Sequence, residues 1–164
     1  MDETETKDKL FDALRGFESV MIGTHGNGGS LHARPMALAE IDPAGVLWFV
    51  TADDSPKAEE IRHDQHGVVT AQDARLFVSI TGRFDLVHDR DRVHAMWKAA
   101  WKVWFPDGPD DESLVLVRFE PAIGEYWDQK GWKGLRYVFE AARALVNGDR
   151  PATDEAQHAK VPMR

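Results

Sequence analysis

The spacing of apolar and polar residues along this chain changes several times, and each change predicts an element. Lys9-Leu10-Phe11-Asp12-Ala13-Leu14 places its apolar residues on one helical face, and Gly16 ends that helix. Val20 and Ile22 alternate with polar or small neighbours, so residues Glu18–Thr24 read as a strand. Gly26-Asn27-Gly28-Gly29 is a turn signal, and Leu31–Ile41 alternates as a second strand. Asp42-Pro43-Ala44-Gly45 turns the chain into Val46–Thr51, giving a meander of antiparallel strands joined by tight turns. The pattern predicts a helix over Ser55–His63, then strands over Gly67–Gln72 and Arg75–Val87 with a turn near Asp73.

Farther on, Val93, Met96, Trp97, Ala100, Trp101 and Trp104 recur at helical spacing, which predicts one helix over Arg90–Trp104 capped by Asp89. Ser113–Phe119 and Ile123–Trp127 read as two late strands around Pro121. Leu135, Val138, Phe139, Ala142 and Val146 predict a final helix over Leu135–Val146, and the polar tail from Asn147 shows no pattern. The expected organisation is therefore one domain over residues 1–146 followed by a loose tail over 147–164. Many short strands with helices in the gaps imply a mainly β fold, a small barrel with helical additions.

The strongest chemical signal lies between the third strand and the helix that follows it. Leu47-Trp48-Phe49-Val50-Thr51 is an aromatic, buried-looking strand, and Ser55-Pro56-Lys57 opens the helix after a short acidic turn. A serine there caps free backbone N–H groups, and proline at the first helical position loses no intrahelical bond. Those N–H groups, the positive helix end and the Lys57 ammonium converge on a point suited to an anion, with phosphate the best match in size and charge. The aromatic strand offers a flat apolar wall for whatever carries the phosphate. The bland alternative is a simple helix start with a solvated lysine.

Composition narrows the class. With 164 residues, the chain suits one domain of about 100–200 residues. There is no cysteine, which removes disulfides, thiolate metal sites and a cysteine nucleophile. The net charge of −8, from 28 acidic and 20 basic residues, opposes binding to nucleic acid or anionic lipid, and no Lys/Arg cluster overrides it. The acidic start Met1-Asp2-Glu3-Thr4-Glu5 is unlike a signal peptide, and the apolar runs are far shorter than the ~20 residues of a membrane span. A cytoplasmic small-molecule binder is the expectation.

Other motifs carry less. Arg34 sits in a strand of small and apolar residues, so it needs a partner: a carboxylate in a salt bridge, or a phosphate or ring carbonyl gripped in two places. Trp97, Trp101, Trp104 and Phe105 form an aromatic cluster, mostly core, with Trp104 and Phe105 at its end suited to a ligand or a subunit interface. His63-Asp64-Gln65-His66 lacks a third metal ligand at a known spacing, so no metal site is expected. Gly26-Asn27-Gly28-Gly29 lacks the dinucleotide glycine pattern, and the acidic run Asp107–Glu112 lacks calcium-loop spacing. No catalytic acid, base or nucleophile stands out.

Six pieces together resemble the general stress protein branch of the pyridoxamine-phosphate-oxidase-like flavoproteins, which have the FMN-binding split-barrel fold. They are Arg34-Pro35-Met36, Leu47-Trp48-Phe49-Val50-Thr51, Ser55-x-Lys57, Val78-Ser79-Ile80-Thr81-Gly82, Trp104-Phe105-Pro106-Asp107-Gly108 and Glu125-Tyr126-Trp127-Asp128. They fall in the family's order and span about residues 15 to 130. The resemblance implies a homodimer with FMN, or alternatively FAD, in two equivalent clefts between subunits. Carried over, Arg34, Ser55 and Lys57 would grip the phosphate. Phe49, Val50 and Thr51 would line the flavin edge through backbone and side chain, with Met36 and Ser79 near the ring. Trp104 and Phe105 would reach in from the partner subunit.

The true oxidases resemble this chain at the phosphate helix but carry Ser-Arg-Lys where Ser55-Pro56-Lys57 stands here. Their substrate-binding Arg-Leu segment has no match in Ala159-Lys160-Val161-Pro162-Met163-Arg164, so oxidation of pyridoxamine phosphate is not expected. What the resemblance implies is a flavoprotein of the stress type, possible roles being an oxidoreductase of unknown substrate or a non-enzymatic flavin store or sensor. A further alternative is haem on the same barrel, for which His25, His32 or His158 would be the axial ligand.

Overall fold

The computed structural model describes residues 3–128 and 158–163. Its elements in chain order are α1 (Glu3–Arg15), β1 (Ser19–His25), β2 (Leu31–Ala37), β3 (Glu40–Ile41), β4 (Leu47–Ala52), α2 (Pro56–His63), β5 (His66–Gln72), β6 (Leu76–Val87), α3 (Arg90–Met96), β7 (Leu114–Asp128) and β8 (His158–Pro162). The described strands form one antiparallel sheet in the order β2-β1-β5-β6-β7-β4-β3, with β8 added on β7.

Chain connectivity forces this sheet to curl. β2 is at one edge and β3 is at the other, yet only Leu38 and Ala39 separate them in sequence. Two residues span at most about 7 Å, so the two edges must meet there. The result is the predicted split barrel: the edges close at Leu38-Ala39 and diverge toward the other end of β2 and β4, where α2 follows.

Strand alternation then sorts side chains by face. Val20, Ile22, Met36, Leu47, Phe49, Val69, Ile80, Phe84, Val117 and Phe119 fill the barrel interior, and Leu10 and Leu14 of α1 complete that core. Phe84 and Phe119 pack at 4.6 Å between ring centroids. A second apolar cluster lies on the other side of β4, where Trp48 and Leu116 meet Val93, Met96, Trp101 and Phe105. β4 is thus buried on both faces, which explains its unbroken apolar run.

Several expected elements differ. The second strand breaks into β2 and β3 because Leu38-Ala39 crosses the barrel seam. The helix expected over Arg90–Trp104 stops at Met96: Trp97 and Lys98 adopt extended backbone angles, and a 3-10 segment follows over Ala99–Val103. Tertiary contacts outweigh the periodicity here. Lys98 Nζ donates to the Ala39 carbonyl at 2.7 Å, and Trp101 meets Trp97 edge-on at 5.8 Å.

The two late strands are one, β7, because Pro121 falls at a bulge where Gly82 pairs with Pro121 and Thr81 with Ile123. β7 leaves β4 at Phe119 and reaches β8 at Ile123, so the missing proline N–H costs no ladder bond between them. Gly82 is needed there, since a Cβ would lie 2.2 Å from the Glu120 carbonyl oxygen. The tail is not loose throughout: residues 158–162 form β8 on β7, with Val161 buried in the barrel core. With only Ala159 and Val161 alternating before Pro162, the segment is too short for a sequence pattern. The helix expected over Leu135–Val146 lies outside the described residues.

Candidate functional site

The start of α2 forms as its sequence predicts. Ser55 is the N-cap, its Oγ accepting the Ala58 N–H at 3.3 Å, and Pro56 occupies the first turn. Thr51, inward-facing on β4, lies beside it: its Oγ1 is 3.2 Å from Ser55 Oγ and accepts from Lys57 Nζ at 3.0 Å. Lys57 is half-buried, and among the described residues no carboxylate pairs with it. Burial, followed by the positive charge of Arg34, pushes its ammonium below the usual lysine range. Arg34 of β2 is thus near enough to Lys57 of α2 for the two like charges to oppose each other.

Arg34 itself has partners. Its register opposite Ile22 turns the guanidinium inward, where Nη2 meets Glu60 Oε2 at 2.6 Å and Nη1 donates to Thr24 Oγ1. The salt-bridge reading of this arginine is the one observed, so a free two-pronged grip on a phosphate is not available while Glu60 holds it. Glu60 also accepts from Thr24 Oγ1 and, at 2.5 Å, from His32 Nδ1. Burial pushes its carboxyl up, but the donors Thr24, His32 and Arg34 prevail and hold it at about 2. Sequence reasoning missed Glu60. The available signal was the set of inward positions Thr24, His32 and Arg34, polar side chains on strand faces that otherwise carry Val20, Ile22 and Met36.

The remaining expected site residues divide. Met36 and Phe49 are core residues, Phe49 with no exposed surface, so Phe49 can offer a ligand only its backbone. Val50 is half-buried against the second cluster. Ser79 pairs with Thr70 and Glu125, and that register places it on the outer face of the sheet with Met21, opposite to the face carrying Arg34. Trp104 is 71% exposed, open to a partner, whereas Phe105 is 4% exposed inside the second cluster of its own chain. Within one chain Phe105 is thus a packing residue, and of the two aromatics Trp104 is the one left open.

Two clefts of about 630 Å³ flank this region, and neither contains Lys57. One, on the outer sheet face, is lined by Gly23, Leu31, Ala33, Val68 and Arg83 among others; the second lies between α2 and the β1–β2 turn, with His32, Pro56 and Glu60. His25 Nδ1 is 3.2 Å from the His66 carbonyl and 3.5 Å from Asp64, and His32 Nδ1 is bound to Glu60. The His158 side chain lies outside the described part. Among the described residues no group of three or more His, Cys, Asp or Glu could hold a metal ion, and no helix is long and apolar enough to cross a membrane.

An antiparallel sheet closed at one seam and split by a helix defines a split-barrel protein. The chain belongs to the pyridoxamine 5'-phosphate oxidase-like family, whose model matches residues 5–152, and its similarity runs to that family's general stress protein branch. Protein bli-3 of Neurospora crassa is 28% identical, with 82% of this chain and 69% of that protein covered. A Jannaschia sp. CCS1 protein of the general stress protein 26 kind is 26% identical over 97% of this chain and 99% of that one, with a TM-score of 0.70. The general stress FMN/FAD binding protein of the phytopathogen Xanthomonas citri is 26% identical, covering 78% and 92%, with a TM-score of 0.68.

Proposed function

We propose that this chain binds FMN, with FAD as the alternative, in a cleft completed by a second copy of itself. Ser55 and Lys57 anchor the phosphate, and Arg34 joins them as far as the phosphate displaces Glu60 from it. The observation that carries the reading is Lys57, a half-buried ammonium beside a second cation with no carboxylate of its own among the described residues. Such a charge is costly until an anion joins it. The capped start of α2 adds backbone N–H groups aimed the same way. The Xanthomonas citri relative, an FMN/FAD binding protein, supports flavin as the phosphate's carrier.

The ring meets the β4 edge through the backbone at Phe49, Val50 and Thr51. Met36 and the Phe49 side chain support that edge from within the core. A second copy is favoured by the apolar residues left open: Met21, Leu31 and Ile123 on the outer sheet face, and Trp104, which would close the neighbouring cleft. Ser79 shares that outer face and would approach the ring only from the dimer side.

Bound flavin supplies electron-transfer chemistry, and these residues bind, orient and shield it. Among the described residues beside Lys57, Glu60 and His32 are bonded to each other and Glu60 to Arg34, and the reading is a flavoprotein of the stress type. Whether it turns over a substrate is decided by nicotinamide titration of the reduced and oxidised forms. The test of the binding reading is the absorbance of the protein mixed with FMN and then freed of unbound ligand, with sedimentation on the same sample. A retained flavin spectrum on a particle of twice the chain mass is expected. A monomer that retains flavin contradicts the shared cleft, and a haem spectrum or no retained flavin contradicts the cofactor.

A further inference from the structure

Two cations and one carboxylate meet at the barrel's split, and the carboxylate comes from the same helix whose start is the anchor. Glu60 lies one turn after Lys57 on α2. Its Oε2 takes Nη2 of Arg34 at 2.6 Å, its Oε1 takes Nδ1 of His32 at 2.5 Å, and Thr24 of β1 bonds both Glu60 and Arg34. Arg34 and Glu60 are largely buried, with side chains 20% and 12% exposed, so their charges are weakly screened by solvent. Arg34 is close enough to Lys57 to depress its protonation. The titratable and charged groups in this cluster are then Lys57 and Glu60 from α2 and His32 and Arg34 from β2.

We infer that Glu60 is a built-in counter-anion, which compensates Arg34 when no phosphate is present and competes with a phosphate for it when one arrives. This inference rests on the flavin-phosphate reading and adds the residue that sets how selectively the site favours a phosphorylated flavin. With Glu60 charged, an incoming phosphate finds one cation already neutralised and gains mainly from Lys57 and the helix start. The phosphate therefore binds less tightly than the bare pair of cations would hold it, and the ligand stays exchangeable. The ring's contacts lie elsewhere, on β4, and do not feel this competition.

The test compares FMN with riboflavin, which lacks the phosphate, in the full-length chain. Glu60→Gln keeps the size and most hydrogen bonds of the side chain and removes its charge. The ratio of FMN to riboflavin affinity is expected to rise on the order of tenfold, because the phosphate now compensates both cations. Glu60→Asp withdraws the charge from Arg34 by one methylene and should raise the ratio in the same direction by less, which keeps the test open if the Gln variant does not fold. An unchanged or lower ratio in either folded variant overturns the inference and makes Glu60 a scaffold for Arg34. A wild-type ratio near one instead overturns the flavin-phosphate reading. In that case thermal stabilisation by inorganic phosphate still tests Glu60: greater stabilisation of Glu60→Gln than of wild type supports the counter-anion, and equal or smaller stabilisation overturns it.

Discussion

Arg34 and Arg92 are both partly buried arginines beside the barrel, and their surroundings carry opposite charge. Arg92 of α3 stacks over Trp48 at 3.9 Å, with Glu40 and Asp42 at 3.8 and 3.7 Å from its Nη2. Asp42 is fixed further by bonds from Trp48 Nε1 and from the backbone N–H groups of Ala44 and Val46. Burial pushes its carboxyl up, and these donors, with Arg92, more than offset that and leave it below the usual range. Here one cation faces two carboxylates and an aromatic ring, so its charge is more than matched even though its Nε is buried without a hydrogen-bond partner. Around Arg34 one carboxylate faces two cations. An arginine in a strand or helix face does not by itself mark a ligand site; the proposal of one at Arg34 rests on the local excess of positive charge.

The comparison breaks most sharply under mutation of the arginines themselves. Arg34→Ala leaves Glu60 buried without its cation, and a loss of about 3 kcal/mol in unfolding free energy is expected by denaturant titration. FMN affinity should fall in the same variant. A variant as stable as wild type would mean that Glu60 finds its compensation elsewhere.

Lys57→Ala probes the excess charge without disturbing the Arg34–Glu60 pair. It removes one charge-assisted contact, so FMN affinity should drop about ten- to a hundredfold by fluorescence titration while riboflavin affinity stays close to wild type. Equal losses for both ligands would place Lys57 against the ring.

Acid unfolding reads the carboxylate. Glu60 is depressed from 4.5 to about 2 in the folded protein, so its contribution is fully present above pH 4.5 and is lost as pH falls toward 2. Stability should decline through that window by about 2 kcal/mol more in wild type than in Glu60→Gln, allowing for partial screening. Matching acid limbs would show that the network does not hold the charge.

Arg92→Ala should have the smallest effect. The cation–π contact and two long ion pairs contribute about 1 kcal/mol to stability, and the FMN to riboflavin ratio should stay at its wild-type value. A changed ratio would dissolve the contrast between the two arginines.

What could be read in advance follows the range of the forces involved. The start of α2 depends on Ser55, Pro56 and Lys57 alone, a local signal, and it forms as expected. β1, β4 and β5 alternate or run apolar over their whole length and were legible within a residue or so. The break after Met96 was not, because it depends on Ala39 and the second cluster, both distant in sequence. β8 was hidden because its ladder with β7 rests on backbone bonds that any composition can make. The resemblance puts Ser79 near the ring and Phe105 in a partner's cleft; within one chain, register places Ser79 on the outer sheet face and burial places Phe105 in the second cluster. Glu60 was missed for a related reason: the inward polar positions Thr24, His32 and Arg34 signal a partner, but only the fold of β1 and β2 onto α2 shows which one.

The central claim is that positive charge at the start of α2 awaits a phosphate. The most direct measurement is the affinity of the wild-type protein for FMN and for riboflavin under one buffer, by equilibrium titration. Two charge-assisted contacts at about 1.5–3 kcal/mol each predict that FMN binds roughly two or more decades more tightly. Equal affinity for the two flavins would contradict the account, since the phosphate would then gain nothing from Lys57, Ser55 or Arg34.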